Sequence, residues 1–289
     1  MLEKFLSQVR DQVYKNIEIA IGQSNEIENA MNYSALGQSK MIRAGLIFAS
    51  GKINMNISNV SILTLASTIE LIHTYSLIHD DLPCMDDDSF RRGKESCHIK
   101  FSEATAVLSG DALQTLAYEM ICDDKDLKSE EKINAIKLIS SACGKNGMVY
   151  GQFLDIESES KKIDSVDIEN IHSLKTGRLI ECAVMLGQIG NNDIKLSLAL
   201  KEFGKKIGLA FQITDDILEA TSDQKTLGKN INSDSKNKKS TYIKILGIDA
   251  AIERSKELVE SAIQDIKALK LKDIEMLIEL AKYISYREN

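Results

Sequence analysis

The chain has 289 residues, of which 43% are hydrophobic, with one proline, no tryptophan and a formal net charge of −7. That length supports a sizeable core in one or two domains, and so little proline leaves the chain free to be helical almost throughout. The charge argues against a general nucleic-acid binder. Scarce aromatics argue against a β-rich fold. The scattered cysteines Cys84, Cys97, Cys122, Cys143 and Cys182 lack CxxC spacing and point to reduced thiols in a cytoplasmic protein.

In chain order, residues 2–21 place Leu2, Phe5, Leu6, Val9, Val13 and Ile17 at helical spacing, with charges between them. The start has no long apolar region and is read as carrying no signal peptide. No apolar run is taken to reach the length that crosses a bilayer. "YSALGQSKMIRAGLIFASG" reads as a short break followed by a helix. Residues 60–78 are apolar on nearly every side, the pattern of a central helix buried all round, and they run straight into Asp80 and Asp81. Residues 102–122, 129–141 and 167–189 predict further helices. Residues 201–220 predict another, ending in the acidic "DDILE". The polar, lysine-rich "SDQKTLGKNINSDSKNKKS" predicts a loop, and residues 249–268 and 272–285 close the chain as amphipathic helices. With no linker-like shift in composition, residues 1–289 read as a single all-α domain.

The stretch "DDLPCMDDDSFRRG" concentrates Asp80, Asp81, Asp86, Asp87 and Asp88 around the only proline, Pro83, and answers them with Arg91 and Arg92. Pro83 ends or deforms the preceding helix, so that Asp86 can fold back toward Asp80. In the second cluster Asp215 and Glu219 are four apart and share a helix face. Carboxylates held this close resist ionising together unless cations neutralise them. Magnesium takes one or two carboxylates and completes its shell with water and substrate phosphates, whereas the twelve-residue calcium loop is absent here. A solvated acidic surface accounts for two such runs, each trailing an apolar helix, less well than for one. Arg91 and Arg92 can hold phosphate oxygens in bidentate fashion. Lys40 and Arg43, three apart at a predicted helix start, Lys175 with Thr176 in "KTGRL", and Lys229 and Lys239 add further cationic or polar groups. Together they point to two needs: carboxylate and metal for one diphosphate, direct basic contact for another.

"SLIHDDLPCMDDDSFRRG" resembles the first aspartate-rich motif of the bacterial trans-prenyltransferases, or polyprenyl synthases. "FQITDDILE" with "TLGKN" and "KKSTY" resembles their second, and "HIKFSEATAVLSGDALQTLAYE" and "SLKTGRL" are similar to stretches of the same family, from about Tyr33 to Tyr242. The resemblance implies an all-α isoprenoid-synthase bundle around a central cavity, a homodimer without membrane insertion, and three Mg²⁺ per active site. It implies condensation of an allylic diphosphate (dimethylallyl or geranyl) with isopentenyl diphosphate. By the same likeness Asp80, Asp86 and Asp215 bind Mg²⁺, with Asp81 and Asp216 in support. Arg91, Lys175, Thr176, Gln212, Lys229 and Lys239 contact the allylic substrate. Lys40, Arg43, His73 and Arg92 hold the isopentenyl diphosphate. His73 precedes Asp80 by two helical turns and so shares its face.

Tyr75 lies five residues before Asp80, about 7.5 Å along a helix, where a ring could floor the apolar pocket. Ser76 shares the Asp80 face better and is small. An aromatic at Tyr75 with the "DDLPCMD" spacing resembles the farnesyl diphosphate synthases within the family, with a geranylgeranyl-forming enzyme as the nearest alternative. From another class, a non-catalytic helical partner of a prenyltransferase should have lost acidic residues that this chain keeps. Two departures stand out: "QSKMIRA" where the family usually reads GGKRLRP, and Glu219 where aspartate is usual.

Overall fold

The computed structural model describes residues 1–158, 161, 163–226 and 242–286. They form two compact units, residues 1–137 with 186–191, and residues 138–185 with 192–289. The elements in chain order are α1 (Leu2–Ile21), α2 (Glu26–Ala35), α3 (Ile42–Ile53), α4 (Asn59–Asp80), β1 (Phe90–Arg91), β2 (Lys94–Glu95), α5 (Cys97–Lys100), α6 (Glu103–Asp123) and α7 (Ser129–Cys143). There follow α8 (Met148–Ser158), α9 (Ser165–His172), a π-helical turn (Ser173–Gly177), α10 (Arg178–Leu186), α11 (Ile194–Thr226), α12 (Tyr242–Leu246), α13 (Ile248–Ala268) and α14 (Glu275–Tyr286).

In the first unit α4 is the central element, packed against α1, α3 and α6. Its Leu65, Ile69, Leu71 and Ile72 are fully buried, each such side chain contributing about 1.5–3 kcal/mol. The α1 stripe repeats every fourth residue, with Val9, Val13, Ile17 and Ile21 buried, as its periodicity predicts. Ser58 starts α4 by accepting the Ser61 N–H at 3.1 Å, and Ser102 starts α6 by accepting the Thr105 N–H at 3.0 Å, both side-chain caps of the usual kind. Contrary to the expectation from sequence, α4 is long and apolar enough to cross a bilayer (mean hydropathy 1.2), but 72% of that apolar window is buried inside the fold.

In the second unit α11 packs along α13, and its Leu209 and Ile213 form a core cluster with Ile168, Tyr242 and Ala251. Asp164 opens α9 with a reciprocal capping box through Asp167. The helix expected at 167–189 is interrupted by the π turn, and α11 extends well past the expected end at 220. The helices α2 and α8 and the small hairpin were not foreseen. The predicted loop at 222–240 falls mostly outside the described residues.

Candidate active site

Asp80 closes α4, and the next residues turn back over it. The Asp86 N–H donates to the Asp80 carbonyl at 2.9 Å, and the Met85 and Asp87 N–H groups donate to Leu82 at 2.8 and 3.1 Å. The fold-back expected at Pro83 is therefore present, and it sets Asp80 and Asp86, both half-buried, beside one another. Asp81 points elsewhere. It is 2% exposed and accepts both from Arg91 Nε at 2.8 Å and from Arg91 Nη2. Arg91 Nη2 also reaches Asp88 at 3.2 Å. Burial pushes the Asp81 carboxyl up, against the lowering effect of Arg91. The hairpin that presents Arg91 pairs Phe90 with Glu95 and Arg91 with Lys94, and turns at Arg92 and Gly93, both at positive φ.

The second basic set lies in the same unit. His73 on α4 sits with its Nε2 3.5 Å from Arg92 Nη2. Burial, then the guanidiniums of Arg43, Arg92 and Arg91, hold its pKa well below the usual histidine range. Arg43 occupies the first turn of α3, whereas Lys40 precedes the helix and is exposed. The helix-face relation expected for these two is therefore not formed. The segment ahead of α3, residues 37–41, is held by the Tyr14 hydroxyl donating to the Gly37 carbonyl and by the Met41 N–H donating to Ser39 Oγ at 3.2 Å. Met41 takes the left-handed conformation, φ 53°, which is uncommon for a non-glycine residue. A cavity of about 50 Å³ opens among Tyr33, Gln38, Thr74, Asp81, Arg91 and Arg92.

In the second unit the acid pair is in the middle of α11 and not at its end, because the helix runs on to Thr226. Asp215 is half-buried, one turn from the exposed Glu219. Asp216 faces inward. It accepts the Tyr242 N–H at 2.8 Å, lies 3.5 Å from His172 Nε2 and accepts from Gln212 Nε2 at 3.5 Å. Burial raises its pKa to about 7, with Glu219 and Asp215 adding to the rise and the two hydrogen bonds opposing it. Burial lowers His172 to about 4.

The π turn supplies the polar groups beside α11. A Cβ at Gly151 of α8 would lie 2.2 Å from the Lys175 nitrogen, and one at Gly208 of α11 would lie 2.8 Å from the Gly177 Cα. Only glycine permits these approaches, which seat the turn between the two helices. Lys175 Nζ donates to Asp155 at 2.6 Å, and Thr176 Oγ1 donates to Gln212 Oε1 at 2.7 Å. π turns inside helices recur at functional sites. Asp155, Glu70, Tyr14 and His172 were missed from sequence. Lys229 and Lys239 lie outside the described residues.

Among the described residues no group of three Asp, Glu, His or Cys side chains forms a closed metal cage. Asp80 and Asp86 in the first unit, and Asp215 in the second, each carry a half-buried carboxylate, the kind of hard oxygen donor that Mg²⁺ takes.

Oxygen donors for a hard cation, with guanidinium groups close by in the first unit and an ammonium group in the second, place the chain among helical enzymes that act on phosphorylated substrates. Residues 24–281 match the polyprenyl synthetase family, and the chain belongs to that family. It is 41% identical over 271 residues to the farnesyl diphosphate synthase of Escherichia coli, covering 92% of this chain and 90% of that one. An apo structure described as an FPP/GFPP synthase from Zymomonas mobilis matches with a TM-score of 0.87 at 33% identity, over 98% of both chains. The geranyltransferase of Helicobacter pylori, complexed with magnesium and isoprenyl diphosphate, matches with a TM-score of 0.80 at 31% identity, over 97% of this chain and 96% of that one. The fold is the all-α fold of the isoprenyl diphosphate synthases.

Proposed function

We propose that this chain condenses an allylic diphosphate, dimethylallyl or geranyl, with isopentenyl diphosphate to give farnesyl diphosphate. The observation that carries this reading is the 41% identity along almost the whole length of a farnesyl diphosphate synthase, in a chain that keeps Asp80, Asp81, Asp86, Asp215 and Asp216. The 289 residues act as one catalytic domain in which both acid motifs serve the allylic diphosphate. The protein works in the cytoplasm as a homodimer, without membrane insertion.

Asp80, Asp86 and Asp215 would hold Mg²⁺, three ions per site by this reading, and the metal would supply charge stabilisation for the departing pyrophosphate. Arg91, Lys175, Lys229 and Lys239 bind the allylic diphosphate. Lys40, Arg43, His73 and Arg92 bind the isopentenyl diphosphate. The carbon–oxygen bond of the allylic substrate breaks, leaving a carbocation that a dry site protects from water. The Gln212 carbonyl and the Thr176 hydroxyl present dipoles to that cation. The isopentenyl double bond forms the new carbon–carbon bond, and the released pyrophosphate takes the proton then lost. Tyr75 is 6% exposed and packs edge-on against His79, a rigid setting for a pocket floor, with Ser76 beside it.

The test is incubation with Mg²⁺, labelled isopentenyl diphosphate and geranyl diphosphate, followed by sizing of the dephosphorylated alcohols. A C15 product abolished by EDTA and by Asp80→Ala is expected. A C20 product would mean a geranylgeranyl-forming enzyme. No product with any allylic starter, from folded protein, would favour a non-catalytic partner.

A further inference from the structure

We propose that Glu70 is a positioning residue for isopentenyl diphosphate, holding Arg43 and Arg92 in place before the substrate arrives. The inference rests on the prenyltransferase reading above and adds a residue that no motif assigns.

Glu70 lies on α4 and is 6% exposed. Its Oε1 accepts the Ala44 N–H at 3.0 Å, across 26 residues of sequence. Ala44 is the third residue of α3, the position whose N–H an N-cap side chain usually satisfies. Here the N-cap is Met41, which makes no side-chain cap bond. The carboxylate of a neighbouring helix thus does the capping, where a negative charge also favours the helix terminus. Arg43 sits in this first turn, directly before Ala44.

The charges facing Glu70 are basic: Arg43 first, then Arg92, both acting on its carboxyl. The Tyr14 ring, whose hydroxyl secures the Gly37 carbonyl, is its third ionisable neighbour. One turn on, Thr74 Oγ1 donates to the Glu70 carbonyl at 2.7 Å, and His73 meets Arg92. A single turn of α4 therefore orients both arginines, Arg43 through the Glu70 carboxylate and its cap, Arg92 through His73 and the same charge. One carboxylate against two guanidiniums leaves net positive charge for a diphosphate. A buried carboxylate lacking such partners would be strongly unfavourable.

The test compares full-length wild type with Glu70→Gln, varying isopentenyl diphosphate at saturating geranyl diphosphate and then the reverse. The amide oxygen can still accept the Ala44 N–H but brings no charge to the arginines. The expected result is a KM for isopentenyl diphosphate raised about tenfold or more, with the KM for geranyl diphosphate within about twofold and circular dichroism unchanged. An unchanged KM for isopentenyl diphosphate overturns the proposal. So does a lowered one, because the carboxylate would then merely repel the substrate. If Glu70→Gln fails to fold, Glu70→Asp carries the test. It keeps the charge but draws it back by one methylene, and only a selective rise in the isopentenyl diphosphate KM supports the role. Inactive wild type removes the enzymatic reading and this role together, whereas active wild type with an unmoved variant removes only the role of Glu70.

Discussion

Arg91 closes on Asp81 through two of its nitrogens, Nε at 2.8 Å and Nη2. The Asp81 side chain is only 3% exposed, that of Arg91 34%. The second aspartate of the first motif is thus spent on shaping the loop that carries the motif. Removing one partner leaves a buried carboxylate uncompensated, which typically costs several kcal/mol, less where the cation is partly hydrated. Arg91→Ala should therefore destabilise the fold by about 2–3 kcal/mol in urea denaturation. Arg91→Lys should fall between, since an ammonium lacks the forked geometry. An Arg91→Ala midpoint equal to wild type would remove Asp81 from this structural role.

The hydroxyl of Thr176 donates to Gln212 Oε1 at 2.7 Å, and Gln212 Nε2 turns to Asp216. This chain fixes the amide so that its carbonyl end stays with the threonine. Thr176→Val keeps the shape but loses the donor, at about 1 kcal/mol of stability. The kcat should drop about tenfold or more while the KM for isopentenyl diphosphate holds, the pattern of an interaction realised in the transition state. Thr176→Ser should recover most of the rate. Steady-state kinetics on the three proteins decides it.

The helices that sequence reading found are those with strong period or saturation: α1 through Val9, Val13 and Ile17, and α4 through its unbroken apolar run. α8 escaped because "MVYGQFLDIES" has no regular stripe. Its Gly151 is chosen for close approach to Lys175, a demand visible only in three dimensions. The fold-back of Asp86 followed from Pro83. The inward turn of Asp81 and Asp216 did not, because adjacent aspartates look alike in sequence and differ only in which way the helix faces them. Glu70 was missed for a related reason: a lone acid in an apolar helix gives no sign of the N–H it caps 26 residues away.

Tyr75 is buried on α4, with its ring centroid 5.8 Å from that of His79. His79 is itself fixed, its Nε2 3.1 Å from the Val107 carbonyl. A ring so placed cannot yield to a growing chain, so its removal should lengthen the product. Tyr75→Ala is expected to shift the alcohols from C15 toward C20 in the sizing assay, at a stability loss of about 3 kcal/mol from the emptied volume. A product distribution identical to wild type would mean that Tyr75 only packs the core.

His172 and Asp216 lie 3.5 Å apart and both are buried. Burial raises Asp216 from 3.8 to about 7 and lowers His172 from 6.5 to about 4. A raised carboxyl stabilises the fold at acid pH, and that contribution is lost as pH rises through about 7. A depressed histidine stabilises it above pH 6.5, and that contribution is lost as pH falls toward about 4. Folded or unfolded, the pair therefore carries about one proton between pH 4 and 6.5, and its net effect on stability across that window is small. Asp216→Asn removes one side of the balance. Its stability should fall by about 3 kcal/mol as pH drops from 6.5 toward 4, while wild type changes little from this pair. His172→Gln should show the opposite slope, losing stability as pH rises toward 7. Urea unfolding at intervals across this range, without added Mg²⁺, measures all three. Parallel curves would mean that the two groups titrate as they do in water.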